Sequence, residues 1–272
     1  MMRAGQANRV RLGYTAISVV VIAFIVLPLF FIVWMSFFSN RLLSFPPEGY
    51  TLDWYHRAWG MSDFRNGFFL SLQTGFIATG VALVLGVPAS FALVRGRVRG
   101  REAVNTVLMS PMVVPGIVGG SALFIFFLEV EFLTGWRVAG TSMGLIAAHS
   151  LIALPWMIRL VTTSLISVNP SIEEAARSLG AGPLTVFWRI TLPVIKPGVI
   201  AGSLFAFINS FIDLEKSIFL VGPDSTTLQI ALINYLEWNF DSTIGAVATV
   251  QIALITVLLL ITDRYAKLSR AF

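Results

Sequence analysis

Six long apolar stretches alternate with short polar segments along the chain. They run roughly 14–38, 67–94, 104–128, 141–165, 192–212 and 243–262. Each supplies about the 20 residues a helix needs to cross the hydrocarbon core of a bilayer. The pattern predicts an all-α polytopic membrane protein with six transmembrane helices. Arg3, Arg9 and Arg11 precede the first stretch, as they would a signal peptide. Its apolar run is too long for that, and no clear small-residue cleavage site follows, so it reads as a retained anchor.

The stretches differ in texture. The third carries Pro111, Pro115, Gly116, Gly119 and Gly120, and the second Gly75, Gly80, Gly86 and Pro88. Proline removes a backbone donor and kinks a helix. Lipid offers no replacement hydrogen bonds, so such breaks face protein or a water-filled path. Glycine lets helices approach closely. This is the texture of a bundle that moves or lines a pathway. The segment 39–66, with Pro46, Pro47, Trp54, Tyr55 and Trp59, reads as an interfacial lid or a short surface helix.

Composition sharpens the picture. Of 272 residues, 56% are hydrophobic and 12% charged, and the mean hydropathy is +0.82. A water-soluble exterior cannot be built from that. A soluble enzyme, a nucleic-acid binder and a disordered tail are thereby excluded. The net charge of +5 then records basic loops. With the N-terminus placed in the cytoplasm, segments 1–13, 95–103, 159–196 and 263–272 are inside and hold 14 of the 19 basic residues. Ten of the 14 acidic residues fall outside. The run Arg95, Arg97, Arg99 and Arg101 is the firmest marker of the inner side. No cysteine is present, which removes disulfides, thiol catalysis and thiolate metal sites.

The most informative segment is the polar loop 169–193. Asn169 before Pro170 suits a helix N-cap, and Ser171 with Glu174 is an alternative capping box. Glu173 and Glu174 sit near the positive end of the helix dipole. Gly180 can take the left-handed cap conformation. Gly182 and Pro183 then start a second short helix, through Arg189. Ala175 and Ala176 are small, while Ile172, Leu179, Leu184 and Phe187 are apolar, so the segment reads as a surface that docks on a partner or on lipid headgroups.

The residues Glu174, Ala175, Ala176, Gly180, Ile190, Leu192 and Pro193 stand at fixed spacing, E-A-A, three residues, G, nine residues, I-x-L-P. This pattern resembles the signature loop of the permease subunits of binding-protein-dependent ABC importers. MSPMVVPGIVGG (109–120), AAHSLIALPWMIRLV (147–161), FPPEGYTLDWY (45–55) and Ser210–Phe211 resemble the spermidine/putrescine permease group. The resemblance implies a type I importer permease (MetI-like) fold with a cytoplasmic coupling helix, in a bacterial inner membrane with both termini cytoplasmic. It implies three regions: an N-terminal anchor with external segment at 1–66, a five-helix core at 67–262 and a tail at 263–272. It also implies two ATPase subunits that carry ATP and magnesium, a second permease of a different chain, and an external binding protein. Glu174, Ala175, Ala176, Leu179, Gly180, Ile190, Leu192 and Pro193 would couple to the ATPase.

The chain itself has no phosphate loop, and its two histidines, His56 and His149, show no metal spacing. No cofactor or metal is expected in it. An intramembrane enzyme and a passive channel are the remote alternatives. Polar groups inside spans are costly and mark candidate substrate contacts: His149, Asn209, Asp213 and Glu215. Asp213 lies nearest the end of the fifth span, and Lys216, three residues on, can pair with it. Polyamine permeases resemble S-F-D-D at 210–213, where this chain has Ser210, Phe211, Ile212 and Asp213. The resemblance implies a small amine-bearing solute, a polyamine or a relative, as the expected cargo. One carboxylate is missing here and Lys216 adds a positive charge, which makes a zwitterion such as an amino acid derivative or an aminophosphonate the alternative.

Overall fold

The apolar stretches fold as helices in the computed structural model, which describes residues 4–40, 44–223 and 225–266. Arg3 and most of the 263–272 tail lie outside the described residues. The helices are α1 (Ala4–Met35), α2 (Asp53–Gly60), α3 (Ser62–Arg95), α4 (Arg101–Val113), α5 (Gly116–Thr134), α6 (Ser142–Ser167), α7 (Pro170–Ser178), α8 (Pro183–Val186), α9 (Leu192–Phe211), α10 (Ser217–Leu220), α11 (Leu228–Leu236) and α12 (Thr243–Ala266). Among the described residues, six helical segments are long and apolar enough to span: 11–35, 62–95, 116–134, 142–167, 183–211 and 243–264. The β pairing found among the described residues is a single bridge between Phe38 and Tyr50.

Two of these spans differ from expectation. The third, expected as one helix over 104–128, is broken into α4 and α5. Proline cannot donate to the ladder and biases the preceding residue to extended backbone. Val114 is extended with ψ 127°, and Pro115 follows with ψ 134°. The membrane-length piece is therefore α5. The second difference lies at 183–189. The second short helix does not stop at Arg189. A π-turn, Phe187–Thr191, joins α8 to α9, so Pro183 to Phe211 is one continuous helix. Pro193 and Pro197 lie in the first turns of α9 without backbone donors. The Leu192 N–H reaches back five residues to the Phe187 carbonyl, which defines the wider turn.

The chain divides into two compact units, Met1–Met61 with Tyr235–Ala253, and Ser62–Asn234 with Leu254–Phe272. In the first, the segment after α1 is tied by Trp54 Nε1 donating to the Phe38 carbonyl at 2.6 Å and by a 2.6 Å bond between Ser36 and Tyr55 hydroxyls. Asp241 caps the start of α12 through the Thr243 N–H and pairs with Arg57 at 3.1 Å.

The second unit is built on α3, α6 and α9. Ala78, Ala82, Ala153, Met157, Val161, Leu165 and Ile195 form its core. Small residues set the spacing. A Cβ at Gly86 would lie 2.7 Å from Met157 Cγ, and one at Gly202 2.9 Å from Met157 Sδ. Met157 thus fills the space that these two glycines leave.

Candidate functional site

Two regions of the second unit carry candidate residues, one at 169–193 and one at 209–217. In the first, Asn169 caps α7 by accepting from the Ser171 N–H at 3.1 Å. Helix α7 ends in a Schellman arrangement. The Ala181 N–H bonds the Ala176 carbonyl at 3.0 Å and the Gly180 N–H the Arg177 carbonyl at 2.9 Å. Gly180 has φ +87°, and a Cβ there would meet nothing within 4 Å. The need for glycine is conformational, not spatial.

This elbow presents an exposed face. Glu174, Ala175 and Gly180 are exposed and Ala176 half-buried. Leu179 is 90% exposed, and Ile172, Leu184 and Trp188 also stand out into the open. Ile190 lies in the π-turn and Leu192 packs on the core, while Pro193 is exposed.

The loop is held by a group that sequence reasoning did not single out. Glu173 is 2% exposed. Its carboxylate pairs with Arg95 Nε at 3.3 Å and accepts from Thr191 Oγ1 at 3.0 Å. Arg95 also donates to the carbonyls of Val168 at 2.9 Å and Leu165 at 3.3 Å, satisfying the end of α6. One ion pair therefore joins α3, α6, α7 and the π-turn. The available signal was helical phase: Glu173 and Ala176 are three apart and share the inward face.

The second region is a buried polar network. His149, on α6, contacts Ser210 Oγ through Nδ1 at 2.8 Å and Ser217 Oγ through Nε2 at 3.0 Å. Ser217 Oγ donates to Asp213, 2.9 Å from its carbonyl and 3.2 Å from Oδ2. The Ser217 proton is thereby used, so Nε2–H donates to Ser217 and Nδ1 accepts from Ser210. Asp213 follows the end of α9 rather than lying on it. Its Oδ2 accepts from the N–H groups of Lys216 and Ser217 at 3.1 and 3.0 Å. The expected pair with Lys216 forms at 3.6 Å, but across a turn instead of along a helix face. Asn209 bends back to the Phe205 carbonyl at 2.9 Å and does not join the network.

Glu215 is different. It is exposed and makes no hydrogen bond or ion pair among the described residues. Its side chain lies against Gly116 at the start of α5, where a Cβ would collide with it, and a Cβ at Gly120 would come within 2.8 Å of Lys216 Cα. The glycines of α5 thus cradle the 215–216 turn. Lys216 lines a small cavity of about 180 Å³ beside the α4–α5 break, with Ser110 and Gly119 on its wall.

The sequence and the fold were compared with known proteins. The family described as "Binding-protein-dependent transport system inner membrane component" matches residues 82–269. The putrescine transport system permease protein PotI of Escherichia coli (strain K12) is 32% identical over 227 residues, covering 83% of this chain and 80% of that one. The molybdenum transport system permease protein ModB of Escherichia coli (strain K12) is 30% identical over 218 residues, covering 74% of this chain and 93% of that one. Among solved structures, a bacterial ABC transporter involved in the import of the acidic polysaccharide alginate matches with TM-score 0.66 and 19% identity over 96% of this chain and 95% of that one. That likeness shows a shared fold. The motif spacing, the six spans and these matches agree: the chain belongs to the family of inner membrane components of binding-protein-dependent transport systems, and is a multi-pass transport subunit rather than an enzyme.

Proposed function

We propose that this permease imports a small amine-bearing solute, a polyamine or a close relative, released to it by an external binding protein. The observation that carries the reading is Glu215, a carboxylate with no partner among the described residues, set beside the glycine face of α5. Asp213 is occupied by Lys216 and Ser217, so it acts by shaping the turn that presents Glu215. The putrescine permease PotI as a relative supports an amine cargo. The loop 169–193 docks on a partner ATPase through Glu174, Ala175, Ala176, Leu179, Leu184 and Trp188. ATP with magnesium is bound by two such ATPase subunits, and a second permease of different sequence completes the pathway. Both termini lie in the cytoplasm.

Lys216 favours a second reading, a cargo that bears an anionic group as well as an amine. Its ammonium, paired on one side with Asp213, stands beside the cavity at the start of α5, where the first backbone N–H groups of the helix favour negative charge. Uptake by the transporter, reconstituted with its ATPase, partner permease and binding protein, decides. Glu215→Gln should raise KM for labelled putrescine by roughly 10- to 100-fold, the range for one charge-assisted contact. Lys216→Met should spare putrescine and impair an aminophosphonate only if the second reading holds. Unchanged uptake in Glu215→Gln for both solutes refutes the assignment of Glu215.

A further inference from the structure

A second charged cavity lies away from both candidate regions, where α3 ends and α4 begins. Its volume is about 510 Å³, and its polar wall is Arg101, Glu102, Asn105, Arg159, Thr162 and Thr163. We propose that it holds the phosphate group of a phospholipid headgroup at the basic face of the membrane, an assignment that goes beyond the transport reading.

Four observations converge on it. Neither Arg101 nor Arg159 forms an ion pair or a side-chain hydrogen bond among the described residues. Two unpaired guanidinium groups from different helices thus line one hollow, and guanidinium is the side chain best matched to phosphate oxygens. Thr162 and Asn105 add polar side chains to the wall that holds the two arginines. Helix α4, 13 residues long, starts at the cavity with no side-chain cap, leaving its first N–H groups available. The fourth observation concerns the remaining wall, which is apolar. Leu93 closes it from behind and Ile166, 63% exposed, stands at its edge. A free anion has no use for that edge, whereas the first methylenes of an acyl chain do. The single carboxylate, Glu102, leaves a net positive charge suited to a phosphodiester. Basic hollows between spans on the cytoplasmic side are places where lipid headgroups bind.

The test is native mass spectrometry of the full chain in detergent, titrated with dioctanoyl phosphatidylglycerol. Dioctanoylglycerol, which lacks the phosphate, serves as control ligand. One phosphatidylglycerol should bind per chain at this site, and its affinity should fall on the order of 30-fold in R101Q/R159Q, at about five- to sixfold for each arginine lost. Both side chains are exposed, so the variant should keep the helicity of the wild type by circular dichroism. R97Q, which changes the same basic run outside the cavity wall, should bind as wild type does. Equal binding in R101Q/R159Q, equal weakening in R97Q, or equal affinity for dioctanoylglycerol overturns the proposal. If millimolar inorganic phosphate displaces the lipid, and only while both arginines are present, the occupant is the free anion and the lipid assignment is overturned.

Discussion

Glu173→Gln keeps the size of the side chain and removes its charge. The half-buried Arg95 guanidinium then loses its counter-ion but keeps the Leu165 and Val168 carbonyls. Breaking a buried pair by removing one partner costs about 3–5 kcal/mol. Here Arg95 remains 17% exposed and retains two acceptors, so the cost falls to the bottom of that range or just below it, about 2–3 kcal/mol. That cost falls on the docking of α7, since Glu173 is the ion-pair partner by which α7 holds Arg95 on α3. The local opening constant should rise by roughly 30- to 150-fold. Hydrogen exchange of the 171–178 amides in the full chain measures this directly, while the core of α6 should exchange as before. The Arg95→Met/Glu173→Met double variant removes both charges and should restore much of the protection, because no unpaired charge remains. Unchanged exchange in Glu173→Gln refutes the clamp. Exchange in the double variant as fast as in the single one refutes the electrostatic account of it.

Three further outcomes are expected. Gly180→Val forces a β-branched residue into φ +87°, a strain of about 1–3 kcal/mol; ATPase stimulation should fall at normal membrane levels, Gly180→Asn should be milder, and full stimulation in the valine variant counts against the elbow. Gly202→Val drives a side chain into Met157 and should destabilise by about 1–3 kcal/mol, read as a lower Tm that Met157→Ala partly restores. In the cysteine-free chain, single cysteines at Ser39, Thr134 and Ser225 should react with an impermeant thiol reagent in intact cells and one at Ser178 should not; labelling at Ser178 overturns the orientation.

What was legible in the sequence was whatever a local rule dictates. Bilayer thickness fixes span length, so six spans could be counted from hydropathy alone. The cap at Asn169 and the elbow at Gly180 follow from backbone chemistry within a few residues. The misses have separate causes, and one is a partner far along the chain. Arg95 read as a marker of membrane sidedness because its partner lies 78 positions away. Spacing put Asp213 and Lys216 together but could not tell which carboxylate stays free, because α9 ends at Phe211 and Asp213 turns inward. Pro115 announced a kink; that it would separate two helices depended on the extended conformation of Val114.

The union of α8, the π-turn and α9 has a mechanical consequence. From Pro183 to Phe211 the backbone is a single rod of 29 residues, about 43 Å long at 1.5 Å per residue. A push on Leu184 at one tip reaches Ser210 at the other through the π-turn, with no loop between them. The regular ladder is interrupted between Phe187 and Pro197, by the π-turn and by two prolines without donors, and compliance is concentrated there. Stiffening or softening that short stretch would change how much stroke arrives at the far tip while leaving both tips chemically intact.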